Sequence, residues 1–108
     1  MDQSRLNQIM QMLEKNPDDS FLNYAAALEF KKNGKIDSAI DLLEKLIASD
    51  ENYLAAYYQL GKNYEAVSET ERAKNIFLKG KDIAVKKNDL KTLNEIEEAL
   101  ILLNDEHK

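Results

Sequence analysis

Acid–base catalysis, nucleophilic attack and metal binding each need a small set of reactive side chains held together, and this chain offers few of them. Its only histidine, His107, stands in the C-terminal tail, where no element would hold it against a substrate. There is no cysteine, which excludes disulfides, thiolate chemistry and Cys-ligated zinc. Glu95, Glu97 and Glu98 invite comparison with a hard-cation site, but such sites draw oxygens from loops and backbone carbonyls. On a helix, these carboxylates read as a solvated face. The three glycines are scattered and make no phosphate loop. Arg72, Lys74, Lys79, Lys81, Lys86 and Lys87 give one stretch a basic bias that could hold an anion. They are spaced around a helix and no aromatic residues interleave with them as single-strand binders require, so a solvated outer surface is the simpler reading. The side chains point away from an enzyme, and no cofactor or metal is expected.

The elements that must position any binding surface are helical. With 108 residues, 44% hydrophobic, 32% charged and a single proline, the chain fits one all-α domain. Twenty acidic against fifteen basic residues leave a net charge of -5, which argues against nucleic acid or anionic membrane as the main partner. No apolar run reaches signal-peptide or membrane-span length, so a soluble cytoplasmic protein is expected.

Periodicity predicts six helices. The first runs from Ser4 to Lys15 with Leu6, Ile9, Met10 and Leu13 in one stripe. Pro17 ends it, and Asp18 and Asp19 offer caps to a second helix from Ser20 to Lys32. Asn33-Gly34 closes the second helix, because glycine tolerates the left-handed cap. The third, Ile36 to Ser49, carries Ile36, Ala39, Ile40, Leu43 and Ile47 on one side, and the fourth follows Asn52 and ends near Val67. Ser68-x-x-Glu71 matches a capping box and predicts Ser68 as the cap of a fifth helix reaching Lys87. Asn88-Asp89 caps a sixth, from Leu90 to Asn104.

Within the fourth and fifth helices, Tyr57-x2-Leu60-Gly61-x2-Tyr64 is followed by Ala73-x3-Phe77. This resembles the tetratricopeptide repeat pattern W-x2-L-G-x2-Y…A-x3-F, with Tyr57 at the first aromatic. A shift of 34 residues puts Gly61 on Ala27, Tyr64 on Phe30, Ala73 on Ala39 and Phe77 on Leu43, so small falls on small and large on large. A second shift puts Ala39 on Arg5 and Leu43 on Ile9, and the first helix resembles the second half of a degenerate repeat. Asn23 holds the position of the usual large aromatic.

The resemblance implies an all-α, right-handed superhelix of antiparallel helix hairpins in a single domain. Its parts are a half-repeat over residues 1–17, repeats over 20–53 and 54–87, a capping helix over 88–104 and a tail over 105–108. It also implies that Phe30, Tyr57, Tyr64 and Phe77 are core. The first helix of each hairpin is expected to line a concave groove that holds a peptide or a helix of a protein partner. Transferred by register, the groove residues are Phe21, Tyr24, Leu28, Lys31 and Lys32, then Ala55, Tyr58, Lys62, Glu65 and Ala66. In the last helix they become Asp89, Thr92, Ile96, Ala99 and Leu100. A carboxylate clamp found in one branch of the family is absent, since Leu28 and Lys62 replace its asparagines and Tyr24 and Tyr58 stand at basic positions. Among these, Phe21, Tyr24, Leu28, Tyr58, Lys62 and Glu65 are the expected binding residues. The last helix carries more apolar residues than one face buries, and Leu90, Ile101 and Leu102 are the expected surface of a homodimer, the alternative reading.

Overall fold

The structure, a computed structural model, describes residues 4–105. His107 lies outside the described residues. The elements are α1 (Ser4–Lys15), α2 (Ser20–Lys32), α3 (Ile36–Ser49), α4 (Leu54–Ala66), α5 (Thr70–Lys87) and α6 (Leu90–Asp105). Among the described residues there is no strand. The chain divides into two compact units between Tyr53 and Leu54.

In the first unit α2 packs against both α1 and α3. Leu6, Ile9 and Leu13 of α1 are buried, spaced to fall on one helix face, whereas Met10, expected in the same stripe, is exposed. Ala26 and Ala27 of α2 are buried, and Leu22, Ala25 and Leu42 pack around the cluster of Ile9, Leu13 and Ala26. Small residues on α2 allow its neighbours to approach closely. Phe30 is only half-buried, which moves it from the core to its edge. Arg5, which the register matches to the buried Ala39, is exposed.

In the second unit α5 packs on α4 and α6, and α6 also reaches α4. Tyr57, Leu60, Tyr64, Phe77, Ala84, Ile96 and Leu103 are buried. Gly61 faces the Phe77 ring so closely that a Cβ there would overlap it, and a Cβ on Gly80 would lie 3.0 Å from Tyr57 Cβ and 3.1 Å from Ile96 Cδ1. These two glycines let three helices close on one another.

Three helix ends share one hydrogen-bond pattern. After α2, the Lys35 amide donates to the Phe30 carbonyl (2.8 Å) and Gly34 to Lys31 (3.0 Å). After α4, Glu69 donates to Tyr64 (2.9 Å) and Ser68 to Glu65 (3.0 Å), and after α5 Asp89 donates to Ala84 and Asn88 to Val85. Each is a Schellman motif, with its pivot at positive φ: 81° for Gly34, 65° for Ser68 and 55° for Asn88. The expected capping role of Ser68 is therefore corrected. Ser68 stands one 34-residue period after Gly34 and closes α4, while α5 begins at Thr70 behind Glu69, with no side-chain cap bond. The carbonyls left at the end of α4 recruit the turn before the next helix can use it.

Candidate functional site

Each unit has a cleft along the helix that the sequence assigned to binding. In the first unit a cavity of about 360 Å³ is lined by Arg5 of α1 and by Phe21, Tyr24, Ala25, Leu28, Glu29 and Lys32 of α2. The start of α2 is firmly built. The Asp19 carboxylate accepts from the Leu22 amide at 2.8 Å, and the Asn23 side-chain amide donates to the carbonyls of Pro17 (3.0 Å) and Asp19 (2.8 Å). Asn23 thus stands at the usual aromatic position to tie down the preceding turn. Ser20 Oγ donates to Asp50 Oδ2 at 2.6 Å, linking the first turn of α2 to the loop after α3.

This anchorage presents Phe21 to solvent at 66% exposure and leaves Leu28 exposed beside half-buried Tyr24. The Tyr24 ring leans on Tyr53, with centroids 5.5 Å apart and planes at 48°. Burial first, then the neighbouring Tyr24, Asp50 and Asp19, pushes the Tyr53 phenol above its ordinary value, so it stays neutral. Arg5 Nε lies 3.1 Å from Glu29 Oε1; the carboxylate is largely buried and the arginine side chain largely exposed.

The second cleft, about 190 Å³, is lined by Tyr58 and Lys62 of α4 and by Glu95, Glu98, Ala99 and Leu102 of α6. Tyr58 is half-buried, with its ring 6.2 Å from that of Phe77, the ring that Gly61 admits. Lys62 Nζ lies 3.4 Å from Glu65 Oε1, so Glu65 holds the lysine without itself lining the cleft. With Lys62 so partnered, Glu95 and Glu98 make this cleft acidic, whereas in the first one Arg5 is paired with Glu29 and Lys32 alone adds a positive charge. A larger depression, about 720 Å³, is lined by Gln8, Gln11, Met12, Glu14 and Lys15 alone. All five belong to α1, so it is the outer surface of one helix and has no second wall.

The groove positions transferred to α6 need correction. Asp89 is the N-cap, its carboxylate accepting from the Thr92 amide (3.1 Å) and hydroxyl (3.0 Å), and Ile96 is fully buried. Ala99 does line the cleft, and Leu102, expected in a homodimer surface, lies there with it. Leu90 and Ile101 are both 62% exposed and Leu102 is 50% exposed. The sequence reading missed Arg5, Glu29, Glu95 and Glu98 as parts of these clefts, and Tyr53 as the support of the Tyr24 ring. Of these, only Glu95 and Glu98 had a signal, as charged residues three apart on one helix. Among the described residues no group of three or more His, Asp or Glu side chains could hold a metal ion.

No family model and no curated protein matches the chain. Solved structures do. The crystal structure of a tetratricopeptide repeat domain protein from Salinibacter ruber is 32% identical, over 81% of this chain and 97% of the other, with a TM-score of 0.77. This chain belongs to the tetratricopeptide repeat family. The TPR2B domain of yeast Sti1, solved as a complex with pHsp70, superposes with a TM-score of 0.87 at 20% identity, covering 94% of this chain and 81% of that one. YrrB, described as a tetratricopeptide repeat protein with an unusual peptide-binding site, gives 0.63 at 19% identity, over 90% of this chain and 57% of its own. In the repeat family's terms, α2 with α3 and α4 with α5 are helix hairpins, and each cleft lies along the first helix of its hairpin. Among the described residues no helix is long and apolar enough to cross a membrane.

Proposed function

We propose that this tetratricopeptide repeat protein is a non-catalytic interaction module that takes a peptide or a helix of a protein partner against α2 and α4. The observation that carries this reading is the first cleft, where exposed Phe21 and Leu28 flank half-buried Tyr24 on a helix whose start is pinned by Asp19 and Asn23. Large apolar side chains held open on a rigid element suit a ligand's own apolar anchors, and a tyrosine adds a broad ring with a polar tip at small rotamer cost. Phe21, Tyr24 and Leu28 form one contact surface, and Tyr58 and Lys62, steadied by Glu65, form the other. The Sti1 domain's complex with pHsp70 and the peptide-binding site ascribed to YrrB support the same use of the fold.

The test is a peptide selected from a random phage-displayed library on the purified chain and then synthesised with a fluorophore. Tyr24→Ala combined with Tyr58→Ala should weaken its binding at least about tenfold, equal to 1.4 kcal/mol, with the helical circular dichroism preserved. Unchanged affinity in that variant removes the site. A second reading, self-association through α6, is favoured by the exposure of Leu90, Ile101 and Leu102. Under it, Leu102→Glu would turn an associating protein into a monomer in sedimentation.

A further inference from the structure

We propose that the second cleft receives an arginine of a partner protein, its guanidinium held by Glu95 and Glu98 and its aliphatic stem laid on Ala99 and Leu102. The inference rests on the reading of α2 and α4 as a peptide-binding surface and adds which side chain the second cleft selects. The first argument is what the neighbouring charges already do. Of the three glutamates in the middle of α6, Glu97 is used within the fold, with its Oε2 3.7 Å from Lys81 Nζ of α5. Glu95 and Glu98 line the cleft and make no ion pair among the described residues. Lys62 is the one cation among the residues lining the cleft, and it is not free to answer them. It lies 3.4 Å from Glu65 Oε1, a buried oxygen with no hydrogen-bond partner. Were Lys62 to swing to Glu95, that oxygen would stay buried without a counter-charge, which is the costlier arrangement. The second cleft therefore keeps two uncompensated carboxylates. The first keeps none, because Arg5 already takes Glu29 at 3.1 Å.

The second argument is shape. A cavity of about 190 Å³ is smaller than the roughly 300–1,000 Å³ of sites that enclose a small molecule, so it suits one side chain of a longer ligand. Glu95 and Glu98 share a helix face, about 4.5 Å apart along its axis. A guanidinium carries its N–H donors in a planar fork and can bond both carboxylates at once, whereas an ammonium is a compact charge without that fork. A hard metal ion would need more oxygens than these two side chains supply. Beside them the Tyr58 ring, backed by Phe77 with centroids 6.2 Å apart, offers a face that attracts a cation. The same unit already sets an arginine over a tyrosine, with Arg72 Cζ 5.9 Å from the centroid of Tyr64. Ala99 and exposed Leu102 supply the apolar bed for the methylene stem while the head stays at the carboxylates.

The experiment follows the amide NMR signals of the isotope-labelled chain during titration with synthetic probes. The first is a short alanine-rich peptide holding one arginine beside one leucine. The others are the same peptide with lysine or with citrulline, which keeps the shape of arginine without its charge, and spermidine. The arginine peptide should shift the amides around Tyr58, Lys62, Glu98 and Leu102 and bind at least about tenfold more tightly than the citrulline peptide. It should also bind more tightly than the lysine peptide and weaken as salt rises from about 0.05 to 0.5 M. Glu95→Gln combined with Glu98→Gln removes two exposed charges at constant shape and should bring the arginine peptide down to the level of the citrulline peptide. Circular dichroism checks the fold, and Glu98→Ala alone is the substitute should the pair fail to fold. Any one of four results overturns the proposal: no shift at the cleft up to about 20 mM peptide, citrulline or lysine equal to arginine, arginine binding that survives the double substitution, or spermidine matching the arginine peptide at the same amides. Library-selected peptides that need Tyr24 and Tyr58 while the arginine peptide fails overturn only this proposal. Selected peptides indifferent to both tyrosines, with an arginine peptide that needs Glu95 and Glu98, remove the wider reading and leave the arginine site standing.

Discussion

Gly61 shows how one missing methyl shapes a binding surface. Alanine is the better helix former by about 1 kcal/mol, so by propensity alone Gly61→Ala should stabilise α4. The Phe77 ring stands where that methyl would go and is fully buried, so it has no free direction in which to yield. Overpacking of this kind costs roughly 1–3 kcal/mol, and we expect it to exceed the propensity gain. Urea denaturation should show Gly61→Ala less stable than wild type, and Phe77→Leu should recover part of the loss when combined with it. Because Phe77 also supports the Tyr58 ring, the same substitution should weaken any ligand of the second cleft. Asn23 makes a related point. The family pattern favours an aromatic residue there, and the structure uses an amide to hold the turn before α2.

At the scale of the element, what matters is where each helix starts and stops. α6 starts at Asp89, whose carboxylate is held below the ordinary carboxylate range, first by the Thr92 amide and then by the Thr92 hydroxyl. A carboxylate lowered on folding contributes stability that is present above its unfolded value, near pH 4, and is lost as pH falls through its folded value. Asp89→Asn keeps a good cap but no longer titrates there. Its stability should therefore stay close to wild type at neutral pH, while wild type loses more than the variant on acidification, as denaturation midpoints between about pH 6 and pH 2 would show. The end of α4 is the case in which a local motif misleads. Ser68-x-x-Glu71 has the composition of a cap, but the Tyr64 and Glu65 carbonyls need donors, and the Ser68 and Glu69 amides supply them.

For the molecule as a whole, charge and magnitude set the limits. The net charge of -5 is unevenly expressed at the two clefts, one with Lys32 beside a paired Arg5 and Glu29 and the other with Glu95 and Glu98. Ligands of opposite charge character should therefore select between them. If Phe21, Tyr24 and Leu28 each contribute about 2 kcal/mol, the first cleft supplies roughly 6, below the about 8 of micromolar binding. A short peptide confined to that cleft should bind no tighter than about 1 μM in anisotropy titration. Nanomolar binding would show that contacts beyond the cleft carry much of the energy.

Much of this architecture was legible in the sequence because its causes are local. Helix formation follows from apolar spacing within a few turns, and the stops follow from Pro17 and from Gly34, whose φ of 81° suits glycine. The resemblance to the repeat pattern carried the burial of Tyr57, Tyr64 and Phe77, although Phe30, one period before Tyr64, is only half-buried. The composition of the clefts was less legible. Periodicity orders residues around their own helix but does not say how that helix is rotated against the next. The rotation of α6 puts Ile96 in the core against Gly80 and turns Ala99 and Leu102 towards Tyr58. The Arg5–Glu29 pair and the Tyr24–Tyr53 contact likewise join residues well apart in the chain with no shared pattern. The sequence by itself determined the helices, their period and their buried signature. Only tertiary packing decided which side chains stay open beside Phe21 and Tyr58, because that depends on how far each helix must turn to bury its own apolar face.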